Sequence, residues 1–202
     1  MTYQLAEGVN LHVLQTKQYK TVRIFVRFTT RLAKETLTKR SLLSSLLETN
    51  SLNYPDQTQL SAKLADLYGA SFGLSVRKKG NLHWLNAGIS FVNGKYVNDS
   101  EIFNEAVDFL KEVLFYPNIK EQKFDQLTFD LEKNNLKLYL ESLNEDKQTM
   151  ASLALQELYF EQSDAQKIPS FGTIEDLEEL TAESLATYYQ EMIANDQVDI
   201  FV

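Results

Sequence analysis

Between positions 21 and 28 the chain alternates: Val22, Ile24, Val26 and Phe28 fall on one side, Arg23, Phe25 and Arg27 on the other. A period of two with one wholly apolar side is the pattern of a strand laid against a core. The preceding residues from position 3 read as one or two shorter strands, with Gly8 and Asn10 at a turn. From about Glu35 the period changes. Leu42, Leu43, Leu46 and Leu47 share one side of a helix, which Asn50, Asn53 and Pro55 bring to an end. Asp56 followed by Gln59 suits a second helix start, and Leu60, Leu64, Leu67 and Tyr68 run on to a stop at Gly69.

Alternation returns at Phe72, Leu74 and Val76, then at Leu85, Ala87, Ile89 and Phe91, with Lys79-Gly80-Asn81 suited to a hairpin turn between them. Beyond Asp99 the pattern is helical. Phe103, Ala106, Val107, Leu110, Val113 and Leu114 predict one helix, and Phe124, Leu127, Leu131 and Leu138 mark a longer one. A third is expected over 146–162. Thr173 and Thr181 are placed as N-caps, with Glu175 and Glu183 in the first turns where negative charge is favourable. Val198, Ile200 and Val202 begin a final strand. The expected fold class is α+β, a mostly antiparallel sheet with helices packed on one face. An apolar strand that stops with the chain suggests a domain cut from a longer polypeptide.

Composition narrows the functions. Apolar residues are 44% and charged residues 24% of 202, as in ordinary globular domains. A net charge of −8, with no long basic block, argues against nucleic acid and anionic membranes as partners. The absence of cysteine removes disulfides, thiolate nucleophiles and cysteine-ligated zinc. No apolar run approaches a membrane span, and the first residues lack a basic segment followed by an apolar one; a cytoplasmic protein is expected.

Catalytic motifs are missing as well. Zinc hydrolases gather about three His or acidic ligands on one face, whereas the histidines here are His12 and His83, each alone in an expected strand. His12 lies opposite the Val9/Leu11/Val13 side and His83 shares the parity of Leu85 and Ala87, so each reads first as a structural residue. There is no GxSxG elbow, and the seven glycines are scattered singly, so no phosphate-cradling loop is present. The carboxylates Glu175, Asp176, Glu178 and Glu179 read as a solvated helix face.

The order of segments carries more than any one of them. TTRLAKETLTKRSLLSSLLETNSLNYPD, LSAKLADLYGASFG, KFDQLTFDLEKNNLKLYLESLNED, and IPSFGTIEDLEELTAESLATYYQEMI followed by DQVDIFV resemble, in series, the N-terminal half of the insulinase-like (M16) zinc peptidases. The similarity spans essentially the whole chain, and it implies one domain over 1–202 of the LuxS/MPP-like metallohydrolase type. Active members carry HxxEH on the first helix and a further Glu on the long helix. The two histidines share a face and hold zinc, and the intervening Glu activates its water. The resemblance places Ser41 and Ser45 at the histidines, Ser44 at the catalytic Glu and Tyr139 at the third ligand. It implies a degenerate site with no metal and no cofactor, and no peptide hydrolysis by the family mechanism. Independently of that register, no histidine occurs anywhere in positions 13–82.

Motif-free bacterial members of the family occur beside a motif-bearing partner and are longer chains of two similar halves. The resemblance therefore implies a non-catalytic subunit that pairs with an active zinc peptidase, or self-associates, and helps enclose or position a peptide substrate. A stand-alone module binding a peptide at a sheet edge is the alternative.

Overall fold

The computed structural model describes residues 1–202. The chain opens with strands β1 (Thr2–Ala6), β2 (Val9–His12) and β3 (Thr21–Arg31), followed by helices α1 (Lys34–Thr49) and α2 (Gln57–Asp66). The hairpin β4 (Ser71–Lys79) and β5 (Leu82–Val92) leads into α3 (Ile102–Phe115). A two-residue pair, β6 (Ile119–Lys120) and β7 (Lys123–Phe124), precedes α4 (Gln126–Ser142) and α5 (Lys147–Tyr159). Three helices, α6 (Asp164–Lys167), α7 (Ile174–Glu178) and α8 (Ala182–Asn195), precede the closing strand β8 (Gln197–Phe201).

The main sheet has the order β1-β2-β8-β3-β5-β4. Its pairs are antiparallel except β2 with β8. The α+β class with a mostly antiparallel sheet is therefore what the chain adopts. Val26 lies opposite Ile200 and Ala87, and Phe28 opposite Val198 and Leu85, so the apolar halves of three strands share one face. That face packs against α1 and α3, and α4 and α8 join them in one core of 32 buried residues. The opposite face bears Arg23, Phe25, Arg27, Trp84 and Phe201, whose aromatic and cation contacts are with other strand residues.

The turn chemistry follows the sequence. Gly69 and Gly80 take positive φ at the helix end and hairpin. The Asp56 side chain accepts from Gln59 N, and Thr173 and Thr181 cap α7 and α8. The apolar stripes of two helices need correction. On α4, Leu127, Leu131 and Leu138 are exposed, and the residues in the core are Phe129, Leu136 and Leu140. On α3, Phe103 and Val107 are exposed, and Ile102 and Phe109 take their places inward. In both helices apolar side chains line more than one face, so spacing alone admits two rotations; contact with β5 selects one for α3, and contact with α1 selects one for α4. No helix is long and apolar enough to cross a membrane.

Candidate functional site

Helix α1 passes through the core with an unusual set of buried polar residues: Thr38, Arg40, Ser41 and Ser44. The Ser44 hydroxyl donates to the Ser41 carbonyl at 2.7 Å, a local bond that lets serine sit in a dry helix. Ser45 is partly buried on the next residue. Arg40 is wholly buried and reaches away from the serines. Its Nε donates to Tyr188 Oη at 2.9 Å, its Nη1 to the Phe28 carbonyl at 3.2 Å, and its Nη2 pairs with Asp196. The guanidinium thus ties α1 to α8 and β3. Burial lowers its pKa, and Tyr188 beside it acts in the opposite sense.

Helix α4 lies antiparallel to α1. Thr49 Oγ1 donates to Glu132 Oε1 at 3.0 Å and Asn50 Nδ2 to Thr128 Oγ1 at 2.9 Å. Seven residues on from Glu132 is roughly 10 Å along the axis, which puts Tyr139 level with the Ser41–Ser45 turn. Its side chain is half exposed, and its ring meets Phe171 edge-on, with centroids 5.7 Å apart. The structure thus joins Ser41 to Ser44 by a hydrogen bond, while Tyr139 bonds to none of the three serines.

Phe171 belongs to a strap, residues 163–173, that crosses from the tip of the β4–β5 hairpin to α1. Lys78 Nζ donates to the Gln166 carbonyl at 2.6 Å and to the Ile168 carbonyl. Gln156 Nε2 donates to the carbonyls of Gln166 and Lys167 at 3.2 and 3.0 Å. His83 Nε2 meets the Ser170 carbonyl at 3.2 Å, and the Thr173 amide donates to Thr38 Oγ1 at 3.2 Å. Gly172, at φ +86°, lies so near α1 that an added Cβ would fall 2.6 Å from Thr38 Cα. The strap and Phe171 therefore close over the turn of α1 that precedes Ser41.

His83 is fully buried as its strand parity implied, and its Nδ1 has no partner. Burial pushes its pKa down to about 4, helped by the charges of Arg40 and Lys78 and opposed by the bond to Ser170. The ring is neutral at pH 7, with its proton on Nε2 facing the carbonyl. His12 is far from this region in the sheet order. It bonds Asp199 Oδ1 at 3.0 Å and stacks on Phe201.

Beside α1 runs β4, an outer strand of the sheet. Alternation turns the amides of Phe72, Leu74 and Val76 toward the open edge. The Leu74 amide donates to Glu48 Oε2 of α1 at 3.1 Å. Burial raises the Glu48 pKa, the Leu74 bond lowers it, and the nearby Glu132 raises it again. Glu48, Glu132, Phe171 and Gly172 escaped the sequence reading because their roles depend on which neighbours the fold brings up. A weak signal was present at Gly172, a glycine three residues after a proline. No group of three or more His, Cys, Asp or Glu side chains is arranged to hold a metal ion.

No family model matches the chain. A Bacillus subtilis (strain 168) protein described as "Probable inactive metalloprotease YmfF" is 30% identical over 197 residues, 96% of this chain and 46% of that protein. A crystal structure of a conserved protein from Enterococcus faecalis V583 is 64% identical with a TM-score of 0.97, and covers all of this chain and 47% of its own. The crystal structure of a peptidase M16 inactive domain from Pseudomonas fluorescens superposes with a TM-score of 0.75 at 16% identity, over all of this chain and 45% of its own. The chain thus spans about half the length of the relatives it matches.

Proposed function

We propose that this chain, 30% identical to a protein described as a probable inactive metalloprotease and folded like an M16 inactive domain, is a non-catalytic subunit of the insulinase-like (M16) type. In this reading it pairs with an active zinc peptidase and helps to enclose or position that enzyme's peptide. The observation that carries this is the chemistry of α1 and α4 where they face each other. The turn holds Ser41, Ser44 and Ser45, one hydroxyl already spent on a local backbone bond, opposite a tyrosine packed on Phe171. Neutral hydroxyls are weak ligands for zinc, and none of these groups would lower the pKa of a bound water. The domain 1–202 would serve as the scaffold half of a longer polypeptide, in the cytoplasm.

Peptide contact is best supported at the edge of β4. Its outward main-chain groups run beside α1, and an extended peptide can add there as a further strand. Glu48 occupies one of those amides and would have to yield it or be bridged.

The test is to co-express the chain, extended to the length of its relatives, with a motif-bearing zinc peptidase of the same organism. A stable heteromer by size exclusion, with faster peptide turnover than the peptidase alone, is the expected result. Separate elution and unchanged turnover would overturn pairing. Peptide binding by the chain alone would then favour the stand-alone module.

A further inference from the structure

The helix-free face of the sheet has a charge opposite to that of the molecule. The chain carries 28 acidic and 20 basic residues. Strand alternation nevertheless places Arg23, Arg27 and Arg31 of β3, with Arg77 and Lys79 of β4, on the face away from the core. The acidic side chain that the sheet's strands contribute to that face is Asp199 of β8, already bonded to Asn10 and His12.

Aromatic rings run through the cations. The Arg27 guanidinium lies 4.2 Å from the centroid of Trp84, 5.3 Å from that of Phe25 and 5.5 Å from that of Phe201. Phe25 and Phe201 are 6.0 Å apart, and His12 stacks on Phe201 at 4.6 Å. This row crosses β2, β8, β3 and β5. At its end opens a groove of about 990 Å³, lined by Leu14, Tyr19, Phe25, Phe201 and Val202 among others. Arginine and aromatic residues together are the composition of interface cores, where lysine and carboxylates are depleted.

We propose that this face is a docking surface for an acidic amphipathic helix. The helix would belong to the portion of a relative-length polypeptide that lies outside the matched half. Its carboxylates would meet Arg23, Arg27 and Arg77, and its apolar stripe would cover Phe25, Trp84 and Phe201. Two observations choose this occupant. The relatives devote more than half of their length to sequence beyond this match. The face is cationic on an anionic molecule, so the complementary surface is acidic. A second copy fits poorly: two such faces repel each other, and a face packed on the acidic helical layer of another copy gives a contact that does not close. Nucleic acid is disfavoured by the net charge of −8. The proposal does not depend on a peptidase partner.

The chain has one tryptophan, Trp84, and it lies on this face, so its fluorescence reports occupancy there. The probes are two amphipathic helical peptides of about 20 residues with the same leucine stripe, one with glutamate and one with lysine on the polar side. The glutamate peptide should shift Trp84 emission saturably, bind at least about tenfold tighter than the lysine peptide, and weaken with added salt. Arg77→Glu, at an exposed position, and Arg23→Glu should each weaken it several-fold with circular dichroism unchanged. No saturable shift, equal response to both peptides, or indifference to both variants would overturn the proposal. So would a stronger response to an oligonucleotide, which would make the face a nucleic-acid surface.

Discussion

His83 gives the strap a defined acid lability. Its ring is fully buried and feels the charges of Arg40 and Lys78, with one nitrogen on the Ser170 carbonyl and the other without a partner. In the unfolded chain the ring takes a proton near pH 6.5; in the folded chain it does so only near about 4. Between these values unfolding takes up a proton, so stability is full above pH 6.5 and falls as the pH drops toward 4. Lowering the pKa from 6.5 to about 4 corresponds to roughly 3 kcal/mol of preference for the neutral ring. His83→Gln supplies the control, because its amide nitrogen can still donate to Ser170 and does not titrate. Urea unfolding at pH steps from 7.5 to 4 should give a wild-type curve that falls away from the His83→Gln curve by roughly 3 kcal/mol. Proteolysis within 163–173 should rise over the same interval in the wild type alone. Parallel stability curves, or a His83 pKa near 6.5 by NMR titration, would refute the reasoning.

Other residues make shorter predictions. Arg40→Met leaves Asp196 and the Phe28 carbonyl buried without their donor and should cost about 3–5 kcal/mol in chemical denaturation. Gly172→Ala drives a methyl group into Thr38 at a positive φ, and should cost about 2–3 kcal/mol and raise cleavage of the strap. Glu48→Gln keeps an acceptor for the Leu74 amide while removing a carboxylate whose pKa is raised by burial and by Glu132. A raised carboxyl pKa favours the folded state at low pH and is a liability above it, so Glu48→Gln should melt higher than wild type at pH 7. That gap should close on acidification through the folded pKa; a gap constant with pH would contradict the assignment. Ser41→His with Ser45→His should bind zinc weakly and remain inactive, because Tyr139 still stands opposite; chelator-sensitive peptide hydrolysis would contradict this.

The sequence was legible where one local rule decides the outcome. Ile24, Val26 and Phe28 had to share a face, Gly80 had to turn, and Thr173 and Thr181 had to cap, because each depends on near neighbours in the chain. On α4 two local readings were open: Leu127, Leu131 and Leu138 make a stripe as plausible as Phe129, Leu136 and Leu140. Contact between α4 and α1 chose between them, and no window of sequence contains that contact. The same holds for the site. Burial of Ser41 and Ser44 could be guessed from their leucine neighbours. Glu132 on Thr49, Phe171 on Tyr139 and Gly172 on Thr38 join residues 83, 32 and 134 positions apart.

Those long-range contacts explain how the α1–α4 pair can keep its geometry on protein bonds alone. Here α1 is fixed at both ends and across its middle: Thr49 and Asn50 bond to α4, Thr38 to the strap, and Arg40 to α8 and β3. Each bond lies on the helix within about two turns of the serines. Serine suits that turn of α1 because its hydroxyl can be satisfied by the helix's own carbonyl, as Ser44 does with Ser41. The bonds on either side of the serines therefore fix α1 against α4, α8, β3 and the strap, and these contacts set where Ser41, Ser44 and Ser45 stand.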